Sequence, residues 1–273
     1  MKQWFESEDF WINYAPIMYD DNLWEEAPTV AEYVTKTAGL KKGDSVLDAA
    51  CGVGRIAVEL AALGMDVTGV DITKPVLEAA TQSAKDEGVP LTLIQGDLRT
   101  FTSDKKFDCA INLYTSFGYC DSEQEDMMIL KNIAASLRNG GTFIMECTSR
   151  ETAVMYFTKG EEFDRAGFHV KTEFSVEGAW EGLKSKWTLI PIQAEENISS
   201  NTSSKSGSTT SSTITSGNTP GIITHTYTQR LYSAPDLCTR MIECGFSSAK
   251  AYGDFDLSPY DQHARTMIIV AKK

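Results

Sequence analysis

Residues 46–55 read VLDAACGVGR, a short apolar run that ends at a turn containing Gly52 and Gly54. Glycines allow the backbone to approach a ligand closely, and a helix that starts after the turn offers free N–H groups at its N-terminus. In an open α/β sheet, ligands bind at the carboxyl ends of the strands, near the switch in strand order. The stretch therefore predicts a strand, a binding loop and a helix that together hold a nucleotide-like cofactor.

Strands and helices alternate on both sides of this stretch. Thr29 can cap a helix that Gly39 ends, and the pattern resumes late in the chain with a helix over 235–244. The predicted strands are 45–49, 65–70, 91–95, 107–113 and 142–147, followed by an antiparallel pair at 248–255 and 266–271. This order predicts an α/β fold with a doubly wound, mostly parallel seven-stranded sheet and a C-terminal antiparallel strand pair.

A different pattern interrupts the alternation within residues 151–232. Residues 169–176, 183–190 and 224–232 alternate apolar and polar side chains, as antiparallel strands do. Residues 197–221 are almost wholly Ser, Thr, Asn and Gly, so they cannot bury enough apolar surface to offset their ordering entropy. We therefore expect an inserted antiparallel β subdomain that carries a disordered loop at 197–221.

The N-terminal segment is rich in aromatic side chains and is predicted to form one or two short helices. Simple packing on the main domain and a lid over a cofactor both account for this composition. The predicted division is an N-terminal helical lid (1–28), a cofactor-binding domain (29–150 with 233–273) and an inserted lid subdomain (151–232). Because the insertion follows the fifth strand, we expect residues 1–24 and 165–232 to close together over the carboxyl end of the sheet.

The composition narrows the classes of partner and compartment. The chain has 273 residues and a net charge of −13, and an acidic surface repels phosphate backbones, so nucleic acid is disfavoured as a partner. Six cysteines without a C-x-x-C pair and three histidines without ligand spacing predict no metal site. The first residues lack the order of a signal peptide, and no apolar run reaches about 18 residues. We expect a cytoplasmic monomer or homodimer with no membrane partner.

Three features narrow the cofactor. Ala57 stands where the last glycine of a G-x-G-x-x-G dinucleotide fingerprint would lie, and a G-x-x-x-x-G-K-[ST] phosphate loop is absent. Asp71 ends the second strand, seventeen positions after Gly54, where a carboxylate can accept hydrogen bonds from two ribose hydroxyls. Asp97 ends the third strand, where a purine amino group would lie. A dinucleotide-dependent dehydrogenase stays the fold-level alternative, and the incomplete fingerprint speaks against it.

The ordered set of residues 48–54, 71, 96–97 and 112–114 resembles the successive motifs of the class I S-adenosylmethionine-dependent methyltransferases. The resemblance covers residues 30–148 by motif and implies S-adenosylmethionine as cofactor. It implies that Asp48 and the 52–54 backbone hold the methionine end and that Asp71 holds the ribose. Asp97 and the Leu98 amide would hold the adenine, and residues 112–113 would flank the sulfonium. The implied cofactor-binding residues are Asp48, Ala50, Gly52, Gly54, Asp71, Ile72, Asp97, Leu98, Asn112 and Leu113.

The run 112–119, NLYTSFGY, resembles the corresponding loop of bacterial and archaeal small-molecule methyltransferases, including amino-sugar N-methyltransferases. It departs from the Asn/Asp-Pro-Pro-Tyr/Phe loop of enzymes that methylate exocyclic base amines or glutamine amides. The resemblance thus implies methyl transfer to a nitrogen or oxygen of a small-molecule acceptor. A protein or RNA methyltransferase and a non-catalytic protein that binds S-adenosylmethionine are the alternatives.

Tyrosines are the predicted catalytic residues on the acceptor side. Transfer from a sulfonium requires an aligned acceptor and a dry site, and an amine need only arrive unprotonated, whereas a hydroxyl requires a base or a metal. Tyr14, Tyr114 and Tyr119 are predicted to surround the methyl group and to orient the acceptor with their hydroxyls. Glu146 and Arg230 are the next candidates on that side.

Overall fold

The computed structural model of the protein describes residues 3–192 and 221–273, and within these ranges the chain forms two β-sheets and seven α-helices. The strands are β1 (Ser45–Ala49), β2 (Asp66–Asp71), β3 (Thr92–Gln95), β4 (Phe107–Asn112), β5 (Leu137–Cys147), β6 (Glu162–Arg165), β7 (Phe168–Glu177), β8 (Gly182–Pro191), β9 (Ile223–Arg230), β10 (Ser248–Tyr252) and β11 (Met267–Lys272). The helices are α1 (Glu8–Met18), α2 (Asp21–Ala38), α3 (Arg55–Ala62), α4 (Lys74–Asp86), α5 (Glu123–Ser136), α6 (Arg150–Met155) and α7 (Ala234–Glu243). A short helical turn, Trp4–Glu6, precedes α1.

The larger sheet has seven strands in the order β10-β11-β5-β4-β1-β2-β3. All neighbouring strands pair in parallel except β11, which is antiparallel to both β5 and β10. The predicted doubly wound sheet with a C-terminal antiparallel strand pair is confirmed. Strand order reverses between β1 and β4, so the crevice at their carboxyl ends is the expected binding position.

Alternate residues of β1 enter two different cores because side chains of a strand point to opposite faces of the sheet. Val46 packs in a cluster that includes Val34 of α2 and Leu60 of α3. Leu47 packs in a second cluster that includes Leu130 of α5 and Leu237 of α7. Helices therefore cover both faces of the sheet and hold the loop after β1 between them.

The helix predicted to have Thr29 as its cap is instead capped nine residues earlier, by Asp20, so the predicted boundary at 28/29 falls inside α2. The Asp20 carboxylate accepts a hydrogen bond from the Leu23 N–H at 3.1 Å and caps this earlier start. Pro28 interrupts one backbone hydrogen bond, but it lies on the exposed face while Ala27 and its neighbours on the other face are buried. Burial of that face outweighs the proline, which sequence rules interpret as a helix start.

The smaller sheet is antiparallel, with the order β6-β7-β8-β9. Strands β7, β8 and β9 confirm the three predicted strands, whereas β6 was not predicted because its four residues, EFDR, are too few to show alternation. Most of the loop predicted at 197–221 lies outside the described residues. Of the helices in the described ranges, none combines the length and the apolar character needed to cross a membrane.

Candidate active site

The loop between β1 and α3 lies at the switch in strand order. The N–H groups of Ala50 and Cys51 donate to the Val70 carbonyl at 2.8 and 3.1 Å, which ties the loop to β2. Ala50, Gly52 and Gly54 all have positive φ values, of 68°, 53° and 79°. The left-handed backbone is easy for the glycines and strained for the alanine, and it turns the chain sharply into α3.

Gly52 and Gly54 have different surroundings. A Cβ on Gly52 would lie 2.6 Å from the Tyr19 hydroxyl oxygen, in a space that borders the cavity described below. A Cβ on Gly54 would lie 2.9 Å from the Ala80 Cβ, at the contact between α3 and α4. A side chain on Gly54 would therefore meet α4 and not the cavity, so the absence of a side chain lets two helices approach, and the cofactor contact of its backbone stays a prediction.

Asp71 joins two loops at the end of β2. One carboxylate oxygen accepts a hydrogen bond from the Gly52 N–H at 3.0 Å, and the other accepts one from the Thr73 N–H at 3.0 Å. Burial raises the pKa of Asp71, and these backbone hydrogen bonds oppose the increase. A carboxylate offers about four lone-pair positions, so both oxygens can accept further hydrogen bonds from a ligand.

Asp97 forms an ion pair across the same end of the sheet. Its carboxylate accepts hydrogen bonds from the Arg99 side chain at 2.9 and 3.0 Å and from the Arg99 N–H at 2.8 Å. Arg99 in turn donates to Glu6 at 2.8 Å, so the N-terminal turn is attached to this loop. The contact with Arg99 lowers the pKa of Asp97 despite its partial burial.

Asp48 is a buried carboxyl group at the end of β1. Burial is the main cause that raises its pKa to about 7, and the nearby charge of Asp71 adds to the increase. The Arg55 guanidinium acts in the opposite direction. The group therefore changes charge near neutral pH and responds to any cation that enters the site.

Arg55 is a site residue that the sequence patterns did not reveal. It is only 4% exposed, and its guanidinium lies 3.9 Å from the centre of the Tyr114 ring and donates to the Leu23 carbonyl. Its Nε has no hydrogen-bond partner among the described residues. Only its position in the sequence, directly after Gly54, could have identified Arg55 as a site residue, because the first residue of α3 faces the same loop.

A cavity of about 480 Å³ lies over the carboxyl ends of β1, β2 and β4. Most of the predicted cofactor-binding residues line it, namely Asp48, Ala50, Gly52, Asp71, Ile72, Asp97, Leu98 and Leu113. Tyr114, Tyr119 and Glu146 line it as well, and so do Tyr19, Arg55 and Arg99, which were not predicted. Gly54, Asn112 and Tyr14 do not border the cavity. The structure thus brings together residues that are far apart in the chain.

Asn112 is fully buried beside the cavity rather than on its surface. Its Nδ2 donates to the Ala49 carbonyl at 2.7 Å, whereas its Oδ1 has no partner among the described residues. The side chain therefore joins β4 to the end of β1. Its unpaired oxygen is a strong acceptor in a position where few groups can reach it.

The position of Tyr14 differs from the predicted one. Its side chain is fully buried, stacks on Phe10 with ring centres 4.5 Å apart, and donates to the Trp187 carbonyl at 3.1 Å. Burial raises the pKa of Tyr14 to about 12. The aromatic residues of α1 follow helical spacing, and this one faces the smaller sheet, so the prediction that it surrounds the methyl group is wrong.

The loop after β4 carries the other two tyrosines. Tyr114 and Thr115 both have left-handed backbones, with φ values of 55° and 58°, and the Thr115 N–H donates to Glu146 Oε2 at 3.0 Å. The Tyr114 hydroxyl donates to Glu26 at 2.8 Å and accepts from Arg55 at 3.2 Å, and its pKa is raised to about 12 by burial. Its hydroxyl is thus engaged in holding α2 and α3.

The smaller sheet is attached to this loop by its last strand. The Gln229 Nε2 donates to the Phe117 carbonyl at 3.2 Å, and the Arg230 N–H donates to the Gly118 carbonyl at 2.6 Å. The Arg230 guanidinium pairs with the buried Asp126 of α5 and does not border the cavity. The sequence candidate Arg230 therefore positions the loop that carries Tyr119.

The N-terminal segment contacts both the sheet loops and the smaller sheet. The Thr73 hydroxyl donates to the Phe5 carbonyl at 3.0 Å, and Arg165 of β6 pairs with Asp20 at 3.0 Å. The Trp4 ring stacks on Tyr227 of β9 with centres 4.5 Å apart. Residues from both elements line the same cavity.

The histidines lie outside the cavity walls. His225 packs against Phe10 and Tyr14, and His169 pairs with Asp164 at 2.7 Å on the surface of the smaller sheet. Within residues 3–192 and 221–273, no cluster of three or more His, Cys, Asp or Glu side chains is arranged to hold a metal ion.

The chain is similar to known methyltransferases in sequence and in fold. Residues 46–141 match the family described as Methyltransferase domain. The cypemycin N-terminal methyltransferase of a Streptomyces species is 28% identical over 189 residues, which cover 60% of this chain and 76% of that protein. The structure of an S-adenosylmethionine-dependent methyltransferase from Clostridium acetobutylicum has a TM-score of 0.73 at 14% identity and covers 97% of both chains. CalS10, an amino pentose methyltransferase from Micromonospora echinaspora, has a TM-score of 0.65 at 16% identity and covers 96% of both chains.

The chain is a class I S-adenosylmethionine-dependent methyltransferase. The cofactor of this methyltransferase is S-adenosylmethionine, and the chemistry of the cavity fits it. The carboxylates of Asp48, Asp71 and Asp97 line the cavity and can accept hydrogen bonds from the ribose hydroxyls and amino groups of such a cofactor. The unpaired Asn112 Oδ1 and Arg55 Nε add polar atoms at the same end of the sheet.

The pKa of Asp48 leads to a pH-dependent prediction for the methyltransferase. Because burial raises this pKa to about 7 in the folded chain, above its value of about 4 in an unfolded chain, its contribution to stability falls as the pH rises between these values. We expect the melting temperature of the cofactor-free protein to fall from pH 5 to pH 8, and Asp48→Asn to reduce that fall. Thermal unfolding of the native protein and of Asp48→Asn across this pH range measures the two falls in melting temperature. Parallel pH profiles for the two would show that Asp48 is ionised throughout.

Proposed function

We propose that this methyltransferase transfers the methyl group of S-adenosylmethionine to an amine nitrogen of a small-molecule acceptor. The observation that carries the proposal is the covered cavity of about 480 Å³, which falls in the range of about 300–1,000 Å³ that is usual for small-ligand sites. The Trp4–Glu6 turn, α1 and the smaller sheet form its outer wall. This cover leaves less room for a folded protein or RNA than for a small molecule.

We propose that the residues implied by the family motifs each contact a different part of the cofactor. Asp48 faces the amino group of the methionine end, Asp71 accepts from the ribose hydroxyls, and Asp97 with the Leu98 amide faces the adenine. When bound, S-adenosylmethionine supplies an activated methyl group on its sulfonium. Leu113, directly after β4, flanks that position from the cavity wall, and Asn112 lies buried behind it. The hydrogen bonds of Asp71 to Gly52 and Thr73 hold its carboxylate in place before the ligand arrives, which supports this role.

The surroundings of the acceptor position favour nitrogen. Glu146 lines the cavity next to the loop after β4, and burial raises the pKa of its carboxyl group. A carboxylate in this position attracts a cationic amine and orients it, and it can accept the proton that the amine must lose before attack. The cypemycin N-terminal methyltransferase and the amino pentose methyltransferase are named for acceptors that carry amino groups, in agreement with this choice.

We propose that residues 1–28 and the subdomain 151–232 act together as a lid. Arg99 with Glu6 and Thr73 with Phe5 attach the N-terminal turn to the cofactor loops. Such a cover excludes water from the sulfonium, which would otherwise compete with the acceptor. Release of product then requires these contacts to open.

Tyrosine substitutions separate the proposed roles of the two loop residues. We expect Tyr119→Phe to lower kcat/KM for the acceptor about 3- to 10-fold through loss of one hydrogen bond. We expect Tyr114→Phe to lower the melting temperature by about 2–4 °C, because its hydroxyl bridges Glu26 and Arg55. Steady-state kinetics and thermal unfolding of both variants provide the measurements. Full activity in Tyr119→Phe would remove its hydroxyl from the mechanism.

Matched amine and alcohol acceptors test the proposed reaction. The purified protein is incubated with S-adenosylmethionine and with pairs that differ only in that atom, such as phenethylamine with 2-phenylethanol and glucosamine with glucose. Mass spectrometry detects the methylated product. We expect turnover of an amine at a rate above that of its alcohol partner. Methylation of alcohols alone would contradict the choice of nitrogen.

A further inference from the structure

Aromatic rings make up a large part of the cavity lining outside the residues assigned to the cofactor. Trp4, Trp11, Tyr119, Trp187 and Tyr227 border it and come from the N-terminal segment, the loop after β4 and the smaller sheet. We call these five side chains the aromatic wall. The wall is independent of the motifs that bind the cofactor, so its chemistry reports on the acceptor.

The rings of the aromatic wall support one another. Trp4 stacks on Tyr227 with centres 4.5 Å apart, and Tyr119 meets Trp4 edge-on at 5.1 Å and Tyr227 at 5.8 Å. The Trp11 Nε1 donates to the Phe5 carbonyl at 2.9 Å, which fixes that ring. A preformed group of rings presents a rigid apolar surface to a ligand and loses little side-chain entropy when the ligand binds.

The wall also holds two donors without an acceptor. Trp4 Nε1 and Trp187 Nε1 are buried and have no hydrogen-bond acceptor among the described residues. Buried polar groups in folded proteins are nearly always paired, so these N–H groups mark positions where an acceptor atom is missing. Arg165, the charged neighbour of the wall, is already paired with Asp20 and donates to the Ile17 carbonyl at 3.0 Å.

We infer that the acceptor is an amine that carries a planar aromatic ring with a hydrogen-bond acceptor on it. The ring stacks on the aromatic wall, and its acceptor atom meets Trp4 Nε1. An amino sugar suits this wall poorly, since each buried hydroxyl without a partner weakens binding about 5- to 150-fold. This inference rests on the proposed function for the amine and adds the class of substrate.

Binding to protein saturated with S-adenosylhomocysteine tests the inference without requiring turnover. Calorimetry compares phenethylamine with 2-cyclohexylethylamine, which has a saturated ring, and with glucosamine. It also compares phenethylamine with 4-methoxyphenethylamine, which adds an oxygen acceptor. We expect the aromatic amine to bind about 2- to 12-fold more tightly than its saturated partner and more tightly than glucosamine. Equal or tighter binding of glucosamine would overturn the inference.

Trp4→Phe tests the donor, because it keeps a ring and removes the N–H. We expect this variant to abolish the advantage of 4-methoxyphenethylamine over phenethylamine, an effect of about 3- to 10-fold, with unchanged affinity for S-adenosylhomocysteine. Trp24→Phe, at a partly exposed tryptophan outside the cavity, is the matched control. An unchanged advantage in Trp4→Phe would overturn the assignment of the donor.

The outcomes separate this inference from the proposed function. Preferred methylation of amino sugars over aromatic amines would support the proposed reaction and contradict the aromatic substrate. Tight binding of the aromatic probes without methylation of any amine would support the aromatic wall and contradict the choice of nitrogen.

Discussion

Replacement of Gly52 by valine is expected to abolish measurable binding of S-adenosylhomocysteine. A Cβ at this position would lie 2.6 Å from the Tyr19 hydroxyl oxygen and 3.3 Å from its Cζ, on the cavity side of the loop. The two further methyl groups would extend into the space assigned to the methionine end. The φ value of 53° adds backbone strain for a β-branched residue. The loop could relieve this strain only by leaving its present conformation. Calorimetry with the purified variant measures the loss.

Two other glycines serve as controls for this prediction. Gly88 has a similar φ value of 66° and no atom within 4 Å of an added Cβ, so Gly88→Val shares the strain and leaves the cavity unchanged. It should bind S-adenosylhomocysteine normally. Gly54→Ala should lower the melting temperature through its contact with Ala80 at 2.9 Å. Normal binding by a folded Gly52→Val variant would show that the methionine end lies elsewhere.

Asp71→Asn is expected to weaken binding of S-adenosylhomocysteine by about 1.5–3 kcal/mol, or roughly 10- to 150-fold. The carboxylate accepts from both the Gly52 and the Thr73 N–H groups, each at 3.0 Å. An amide provides only one acceptor oxygen, so its NH₂ group must face one of these N–H donors. The substitution therefore both weakens the hydrogen bonds to ribose and loosens the loop that contains Gly52.

Asp66→Asn is the matched control for Asp71→Asn. Asp66 begins the same strand that Asp71 ends, and it forms a surface pair with Lys105 at 2.9 Å. Exposed pairs of this kind contribute about 0–1 kcal/mol, so the control should keep its affinity and its melting temperature. Equal affinity of Asp71→Asn and the native protein, with both folded, would contradict the ribose assignment.

The sheet and the position of the site could be predicted because they depend on local patterns. Apolar runs that end in Gly52, Asp71 and Asp97 mark strands whose carboxyl ends must meet at one edge when the sheet is parallel. The order of these residues also narrowed the class of cofactor, since each residue lies at the end of a different strand. The structure confirms the sheet, and the similarity to known methyltransferases confirms the cofactor.

Several side chains could not be placed in this way because their partners are distant in the chain. Tyr14 faces Trp187, which is 173 positions away, and Arg55 packs on Tyr114, which is 59 positions away. A helical spacing of aromatic residues predicts that their side chains are buried, but it does not identify the residues against which they pack. The start of α2 likewise depended on burial against the sheet, which outweighs the presence of Pro28.

Residue spacing and strand-end chemistry were therefore sufficient for the architecture, for a nucleotide-like cofactor and for the end of the sheet where it is expected to bind, whereas the resemblance to a family identified the cofactor as S-adenosylmethionine. Tertiary packing alone determined which glycine borders the cavity, which tyrosine hydroxyls are engaged, and how the aromatic wall is assembled from three separate segments. The physical reason is the range of the interactions. Backbone periodicity and turn geometry act over a few residues, whereas the surroundings of a side chain depend on segments that meet only after the chain has folded.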